Sequence, residues 1–264
     1  MSIKLKTKAV ITSKAKQSQV PGLLRRFARN DEIDLDVGTY HYDKKLFKKL
    51  MTELYAKYPD GVTLPPEYAE HVDNNLLRVL IRLARYKFVA RLIKKKDTVL
   101  EVGCGSGLGC IFLAQHSARV TGIDANSTEI SEARKINRRS NVTFEVQDLF
   151  QMEESQKFDV VVALDVIEHM TKKVAHKFLA AMTSHLNPSG LLVIGTPSIH
   201  SYKYQGALSQ ASHIKCYDQE ELVELIDQYC GRTIPFSMND ELVHTGHPKM
   251  AWYYFVLGLL PKNN

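Results

Sequence analysis

The stretch TVLEVGCGSGLGC, residues 98–110, predicts a β-strand that runs through a glycine-rich turn into a helix. β-Branched and apolar residues come first, and glycines then follow at alternate positions: Gly103, Gly105, Gly107 and Gly109. In α/β proteins such a turn lies at the carboxyl end of a buried strand, where ligands bind against the amides of the following helix. We therefore expect a ligand site here.

The pattern downstream of this stretch predicts a parallel sheet. Apolar runs such as RVTGID, VTFEVQD, FDVVVALDV and GLLVIGTP alternate with amphipathic helical segments. Near-continuous apolar strands separated by helices are typical of a sheet that is covered on both faces. We expect residues 97–264 to form one doubly wound α/β domain, in which GRTIPFSMND and AWYYFVLGL are the last two strands.

The pattern upstream is helical. We expect residues 1–96 to form an N-terminal helical extension or lid, with one amphipathic helix at 43–58 and a second from about 69 to 95. Asp43 is the expected N-cap of the first helix. Residues 1–29 contain lysines and arginines but no acid, which predicts either a loosely packed basic arm or an anion-binding one.

Three arginines on the second predicted helix allow two interpretations. Arg78, Arg82 and Arg85 recur along one face of that helix. They form either a solvated polar face on a helix that packs over the main domain, or a grip for an anionic substrate or lipid headgroup.

The composition is that of a globular protein with a moderate basic charge. The 264 residues are 44% hydrophobic and 24% charged, with a formal net charge of +6, which does not choose among anionic substrates, nucleic acids and acidic membranes. The four cysteines form no CxxC pair and no secretory leader is evident, so we expect reduced thiols and a cytoplasmic location. The apolar run at residues 250–260 is about half the length that crosses a bilayer, so we expect at most peripheral membrane contact.

The glycine turn does not match two common phosphate-binding motifs. No GxxxxGK[ST] is present, and no lysine follows the glycines to reach a phosphate. A GxGxxG count from Gly103 ends on Leu108, and a count from Gly105 ends on Cys110. The ligand is therefore expected to be something other than a nucleoside triphosphate or a dinucleotide.

Acids follow or lie within the first three predicted strands. Glu101 lies in an otherwise apolar strand, where a buried carboxylate needs a partner. Asp124 ends the second strand, where a carboxylate can accept both hydroxyls of a ribose. Asp148 ends the third strand, where it can meet an adenine amino group. The three acids together predict a nucleoside site.

Four motifs give the sequence a resemblance to the class I S-adenosylmethionine-dependent methyltransferases. They are EVGCGSG (101–107), GIDAN (122–126), QDLF (147–150) and LDVIEHM (164–170). The last motif is similar to that of quinone-biosynthesis and related small-molecule methyltransferases, and it lacks the [DNS]PP[YF] tetrapeptide of nucleic-acid amino methyltransferases. The resemblance implies a Rossmann-like sheet of seven strands in the order 3-2-1-4-5-7-6, with the last strand antiparallel, and S-adenosylmethionine as cofactor.

The resemblance also implies roles for individual residues. The glycines would admit the methionine part of the cofactor, Glu101 would orient their loop, and Asp124 would bind the ribose. Asp148 with Leu149 would border the adenine, and Leu164 with Asp165 would line the methyl-donor side. The complete set of expected cofactor-binding residues is Glu101, Gly103, Cys104, Gly105, Gly107, Asp124, Ala125, Asp148, Leu149, Leu164 and Asp165.

The acceptor is less well defined by the sequence, and we expect an oxygen of a small molecule or glycan. Such an acceptor must lose a proton, for which histidine is the natural base. The candidate catalytic residues are His169, after the fourth strand, and His244 and His247, in the loop that joins the last two strands. The candidate substrate contacts are Tyr40, His41, His200 and His213. No spacing of ligands compels a metal site, and none is predicted.

Two alternatives stay open at this point. The basic N-terminal region could serve an RNA methyltransferase, although no RNA-binding module is recognisable. The fold could also serve a non-catalytic subunit that binds the cofactor and a protein partner.

Overall fold

The computed structural model describes residues 43–262. The predicted basic arm and the candidate substrate contacts Tyr40 and His41 lie outside the described residues. The chain divides into two compact units, Met1–Asp60 and Gly61–Asn264. The division of the chain at residue 96 stays a prediction.

In the first unit the structure describes one helix, Lys44–Lys57. It begins where expected, because the Asp43 carboxylate accepts hydrogen bonds from the backbone N–H groups of Lys45 and Leu46, both at 2.9 Å. None of its residues is buried.

The second unit combines helices with a mixed sheet. Its described strands are β1 (Thr98–Val102), β2 (Arg119–Asp124), β3 (Val142–Val146), β4 (Phe158–Leu164), β5 (Leu186–Pro197), β6 (Cys230–Asn239), β7 (Leu242–His244) and β8 (Tyr253–Pro261). Its described α-helices are Pro66–Asn74, Leu76–Leu92, Leu108–Leu113, Ser127–Ile136, Lys172–Ser184, Ala207–Ser212 and Gln219–Asp227. Short 3₁₀ turns cover Leu149–Gln151, Ile167–His169, Ile199–Tyr204 and Pro248–Met250.

The sheet has the predicted doubly wound topology with one additional strand. Its order is β3-β2-β1-β4-β5-β8-β6-β7. Strands β1 to β5 pair in parallel, whereas β8 is antiparallel to both β5 and β6. The predicted order 3-2-1-4-5-7-6 is thus confirmed for seven strands, with β8 in the place of the predicted last strand.

The count of seven strands was wrong because the polar segment after β6 folds back as a hairpin. Strand β7 pairs with the end of β6, with Asn239 opposite Leu242. The turn between them contains Asp240 at φ 48°, a left-handed conformation that Asp tolerates better than most residues. The interpretation of this segment as a loop missed that turn.

The prediction of one continuous second helix was also wrong. Two helices replace it, and the break falls at Asn75, whose φ of −161° and ψ of 79° lie outside the helical region. None of the helices within residues 43–262 combines the length and apolar content that crossing a bilayer requires.

Helices cover both faces of the sheet, and the core therefore forms two apolar clusters. One cluster includes residues of Lys172–Ser184 and Gln219–Asp227, and the other includes residues of Leu76–Leu92 and Ser127–Ile136. Strand β8 contributes alternate side chains to both, with Tyr254 in the first and Phe255 in the second. Burial on both faces explains why the strands read as continuous apolar runs.

Candidate cofactor and acceptor site

The glycine turn follows β1 and has a left-handed backbone at three positions. Gly103, Gly105 and Gly107 have φ values of 70°, 50° and 80°. The N–H groups of Gly103 and Cys104 donate to the carbonyl of Ile123, at 2.9 and 3.0 Å, so the turn is fixed to the end of β2. A Cβ built at Gly105 would meet only Glu129 Oε2, at 3.8 Å, so this part of the turn faces open space. A ligand could approach the backbone there.

Asp124, at the end of β2, connects the second strand to this turn. Its Oδ2 accepts a hydrogen bond from the Gly105 N–H at 2.9 Å, and its Oδ1 accepts one from the Asn126 N–H at 2.8 Å. Each carboxylate oxygen can accept a second hydrogen bond, and the side chain is partly exposed. The carboxylate is therefore oriented by the protein and still able to bind two hydroxyl groups.

Glu101 is buried under the turn and has neutral partners. Tyr86 Oη donates to its Oε1 at 2.6 Å, and Cys110 Sγ donates to its Oε2 at 3.0 Å. Burial raises the pKa of Glu101 to about 7, because it disfavours the charged form more than these two hydrogen bonds favour it. The sequence required a partner for this acid, and the structure supplies a phenol and a thiol.

Replacing Glu101 with glutamine should stabilise the protein more at pH 8 than at pH 5. The pKa of Glu101 in the folded protein, about 7, lies above the ordinary value of 4.5. The wild type therefore loses stability as the pH rises from about 4.5 to 7, and the loss persists at higher pH. The pKa shift from 4.5 to about 7 corresponds to a loss of about 3 kcal/mol in the free energy of unfolding. Urea unfolding at several pH values measures the difference in the free energy of unfolding between Glu101→Gln and the wild type. The control is Glu145→Gln, on the exposed side of β3, whose difference from the wild type should not change with pH. A difference that does not change with pH for Glu101→Gln would contradict the expectation.

The remaining expected cofactor residues follow β2 and β3 or lie in the turn. Asp148 is exposed and its Oδ1 accepts from the Phe150 N–H at 3.0 Å, which caps the short turn Leu149–Gln151. Leu149 and Cys104 are buried, whereas Ala125 is exposed. The carboxyl ends of β1, β2 and β3 thus carry the predicted residues along one edge of the sheet.

Asp165 follows β4 and forms an ion pair that the sequence did not predict. It has a left-handed backbone with φ 58°, and its carboxylate accepts a hydrogen bond from Arg85 Nη1. The Arg85 guanidinium also lies over the ring of Tyr253, 4.0 Å from its centroid. The preceding Leu164 is buried. Arg85 and Tyr253 thus hold Asp165 in place at the predicted methyl-donor side.

The interpretation of the arginine stripe as a solvated face was wrong for two of its three residues. Arg85 is only 16% exposed in its ion pair, and Arg82 is half-buried against Glu67, with an N–O distance of 2.5 Å. Arg78 is exposed. Spacing along a helix shows which residues share a face, but it does not show that acids on other elements face them.

Two predicted histidines come together with an acid that the sequence reasoning did not single out. Glu168 is fully buried, and its Oε2 accepts from Thr196 Oγ1 at 2.9 Å. The rings of His169 and His213 lie edge to face with centroids 5.0 Å apart. One potential ligand atom from each of the three side chains lies within 4.8 Å of the others. Glu168 precedes His169 in the VIEHM motif, which was the signal available in the sequence.

The other predicted histidines lie elsewhere along the same edge of the sheet. Register places Pro197 of β5 and Met238 of β6 opposite Tyr253, so the β6–β8 connection emerges at the carboxyl ends of the parallel strands. In this connection His244 uses both ring nitrogens, with Asn239 Oδ1 at 3.0 Å and the Gly246 N–H at 3.0 Å. His247 and His200 are exposed. Catalytic or substrate roles for these three stay predictions.

Comparison with known proteins identifies the family. A family model described as a methyltransferase domain matches residues 93–242, more than half of the chain. This chain belongs to the class I methyltransferase family. S-Adenosylmethionine is the cofactor of the family, and an open glycine turn beside an oriented carboxylate fits it.

The chain matches curated relatives over part of their length. The ubiquinone biosynthesis O-methyltransferase of Rhodopseudomonas palustris strain BisB18 is 34% identical over 100 residues, which cover 37% of this chain and 39% of the relative. The enzyme of that name from Rickettsia conorii is 29% identical over 168 residues, 62% of this chain and 57% of the relative. The chain therefore spans about two fifths of the length of the first of these relatives.

Solved structures share the fold of this chain. The complex of DhpI with S-adenosylhomocysteine is 20% identical, with a TM-score of 0.55 over 74% of this chain and 93% of that one. The N-methyltransferase NodS of Bradyrhizobium japonicum is 19% identical, with a TM-score of 0.53 over 72% of this chain and 99% of that one. At these identities the likeness concerns the fold alone.

Proposed function

We propose that this protein transfers a methyl group from S-adenosylmethionine to a hydroxyl oxygen of a small-molecule or glycan-like acceptor. The observation that carries the proposal is the left-handed glycine turn, open at Gly105 and hydrogen-bonded to the Asp124 carboxylate. The choice of oxygen is supported by the relatives named as ubiquinone biosynthesis O-methyltransferases.

The cofactor would be held by the ends of the first three strands. The amides around Gly105 would receive its carboxylate, and Asp124 would accept hydrogen bonds from the ribose hydroxyls. Asp148 and the buried Leu149 would border the adenine. When bound, S-adenosylmethionine supplies a methyl group made electrophilic by the positive sulfur. Glu101 would keep the turn in this shape through its contacts with Tyr86 and Cys110.

The acceptor would approach from the edge formed by the ends of β4 and β5. Asp165, fixed by Arg85, would line the donor side together with Leu164. His169 donates from Nδ1 to the Ser212 carbonyl, at 3.0 Å, which leaves the lone pair of Nε2 free on this edge. Because the residues here are fixed by packing and hydrogen bonds, positioning of the two reactants can account for much of the rate.

The two alternatives are less well supported. An RNA methyltransferase would use the arginine stripe for phosphates, but Arg82 and Arg85 are already in ion pairs with Glu67 and Asp165. A non-catalytic subunit would not need the open glycine turn and the oriented Asp124 carboxylate that this chain keeps, and the relatives are named as enzymes.

A cytoplasmic location is part of the proposal. The four cysteines, Cys104, Cys110, Cys216 and Cys230, are all free thiols, which suits a reducing compartment. Fractionation of cells that express the tagged protein should place it with the cytoplasmic marker, and recovery outside that fraction would contradict the proposal.

Transfer of a labelled methyl group tests the function. Purified protein and S-adenosylmethionine labelled in the methyl group are incubated with cell extract, which is then separated into small molecules, RNA and protein. We expect label in the small-molecule fraction, in a form resistant to nuclease, and far less of it with Asp124→Ala. Label in RNA or protein, or in no fraction, would overturn the proposal.

A further inference from the structure

Basic residues gather at the amino ends of the first three strands, on the edge of the sheet opposite to the cofactor turn. Lys96 precedes β1, Arg119 is the first residue of β2, and Arg138 and Arg139 precede β3. The helix Leu76–Leu92 ends at the same edge, because its last residues lead into β1. The group, here called the amino-edge patch, consists of Arg91, Lys94, Lys95, Lys96, Arg119, Arg138 and Arg139.

Side-chain interactions show that the centre of the patch is compact. Lys95 Nζ donates a hydrogen bond to the carbonyl of Gln115, which connects the segment before β1 to the segment before β2. The pKa of the neighbouring His116 imidazole is lowered, first by burial and then by the positive charges of three patch residues, Lys95, Arg91 and Arg139. Cations from separate parts of the chain therefore lie close enough to act on one side chain.

Neighbouring acids do not neutralise the charge of the patch. Residues 87–96, 115–119 and 134–141, which contain the patch, include no aspartate or glutamate. Within the described part of the chain, no patch residue forms an ion pair with an acid. Two acids beside the patch are already hydrogen-bonded, since Asp97 Oδ2 accepts from the Lys94 N–H and Asp159 Oδ2 from the Thr98 N–H, both at 2.8 Å.

Helix dipoles account for only part of this positive charge. The helices Leu76–Leu92, Leu108–Leu113 and Ser127–Ile136 end at this edge, before β1, β2 and β3. A helix C-terminus carries about −0.5 elementary charge, so three of them offset about 1.5 positive charges. Most of the charge on the seven patch residues is therefore available to an external anion.

The side chains of the patch exclude several kinds of anionic partner. None of the large exposed apolar or aromatic side chains of the described residues lies within 87–96, 115–119 or 134–141. A stable protein interface has an apolar core, a membrane-bound helix inserts apolar side chains, and single-stranded RNA stacks its bases on aromatic rings. The patch provides none of these contacts.

The phosphate backbone of a nucleic-acid duplex is the partner that cations alone can bind. A duplex carries one negative charge per about 1.7 Å of its axis, a density that suits a compact group of cations. The guanidinium group of arginine binds phosphate through two parallel hydrogen bonds. The patch supplies four such groups, on Arg91, Arg119, Arg138 and Arg139.

We propose that the amino-edge patch binds the phosphate backbone of a nucleic-acid duplex without reading its sequence. This interaction goes beyond the proposed function and does not depend on it. Strands β1 and β2 have 5 and 6 residues, so the patch and the cofactor turn are separated by about 15–20 Å. The bound duplex is therefore a partner and not the methyl acceptor, which reacts at the opposite edge.

Fluorescence anisotropy with a labelled RNA duplex of about 20 base pairs and the full chain tests the proposal. We expect saturable binding whose affinity falls by roughly 100-fold or more between 50 and 200 mM salt, because each phosphate contact releases a counterion. A duplex of different sequence should bind equally well. A DNA duplex that binds as tightly would assign the site to duplexes in general, and weaker binding of DNA would assign it to RNA. Absence of binding at 50 mM salt, or an affinity independent of salt, would overturn the proposal.

Paired charge-neutralising variants locate the duplex on the protein. Lys94→Gln combined with Lys96→Gln removes two exposed patch charges, and should weaken binding by roughly tenfold and reduce the salt slope by about 2. The control combines Lys173→Gln with Lys177→Gln on the helix Lys172–Ser184, where both lysines are exposed, and should change neither quantity. Thermal unfolding shows that both double variants are folded. Equal losses of affinity in the two would overturn the assignment to the patch.

Two further measurements separate the possible outcomes. Binding to phosphatidylglycerol vesicles without binding to either duplex would overturn the proposal in favour of a membrane surface. Calorimetry with S-adenosylmethionine distinguishes this proposal from the proposed function. Duplex binding by a protein that does not bind the cofactor would support the patch and overturn the proposed function, whereas cofactor binding without duplex binding would overturn the patch alone.

Discussion

Replacing Gly107 with alanine should lower the free energy of unfolding by about 2–5 kcal/mol. The residue has φ 80°, and an added Cβ would lie 2.5 Å from Phe144 Cζ and 2.6 Å from the Cβ of Ala133. Alanine in a left-handed conformation costs about 1–2 kcal/mol, and overpacking of a core typically costs a further 1–3 kcal/mol. Urea or thermal unfolding measures the loss.

Gly61 provides the matched control for this variant. It has φ 65° and no atom within 4 Å of an added Cβ, so Gly61→Ala should show only the backbone cost. The difference between the two variants then isolates the steric cost at Gly107. Equal losses in the two variants would contradict the packing described for the turn. Gly105→Ala should resemble Gly61→Ala in stability, because its Cβ meets only Glu129 Oε2 at 3.8 Å.

Replacing Asp124 with alanine should weaken the binding of S-adenosylmethionine by roughly 100-fold, as measured by calorimetry. The variant removes the carboxylate that we propose accepts hydrogen bonds from the two ribose hydroxyls, and hydrogen bonds to a charged group contribute about 1.5–3 kcal/mol. It also removes the acceptor that holds the Gly105 N–H, so the turn loses one of its attachments.

Two further variants make this result specific. Asp124→Asn keeps one oxygen acceptor and should lie between alanine and the wild type. Glu145→Ala, which removes an exposed acid from β3, should leave the affinity unchanged. Thermal unfolding without cofactor shows whether Asp124→Ala is folded. An affinity equal to that of the wild type in folded Asp124→Ala would refute the ribose assignment.

Most of the sheet could be predicted from the sequence, because strands buried on both faces leave long apolar runs. The hairpin of β7 was missed for the opposite reason. The strand Leu242–His244 is short, lies at the edge of the sheet and is partly exposed. Its residues show no clear alternation of apolar and polar side chains. What defines it is the turn at Asp240, a local backbone feature that polar loops also contain.

The position of Asp124 at the end of β2 was predictable from the sequence, and its role in cofactor binding stays a prediction. The candidate site was not predictable where a partner comes from a distant element. His169 contacts the carbonyl of Ser212 across 43 positions of sequence, and Arg85 reaches Asp165 across 80. No sequence periodicity links such positions, so the ion pair and the histidine contact could be identified only from the folded structure.

The two hydrogen bonds that the Glu168 carbonyl accepts restrict sequence variation in an unusual way. They depend on main-chain N–H groups at positions 214 and 215, which every amino acid except proline provides. The segment that carries His213 can therefore exchange its side chains at these two positions without losing its attachment. Proline at either position would detach it.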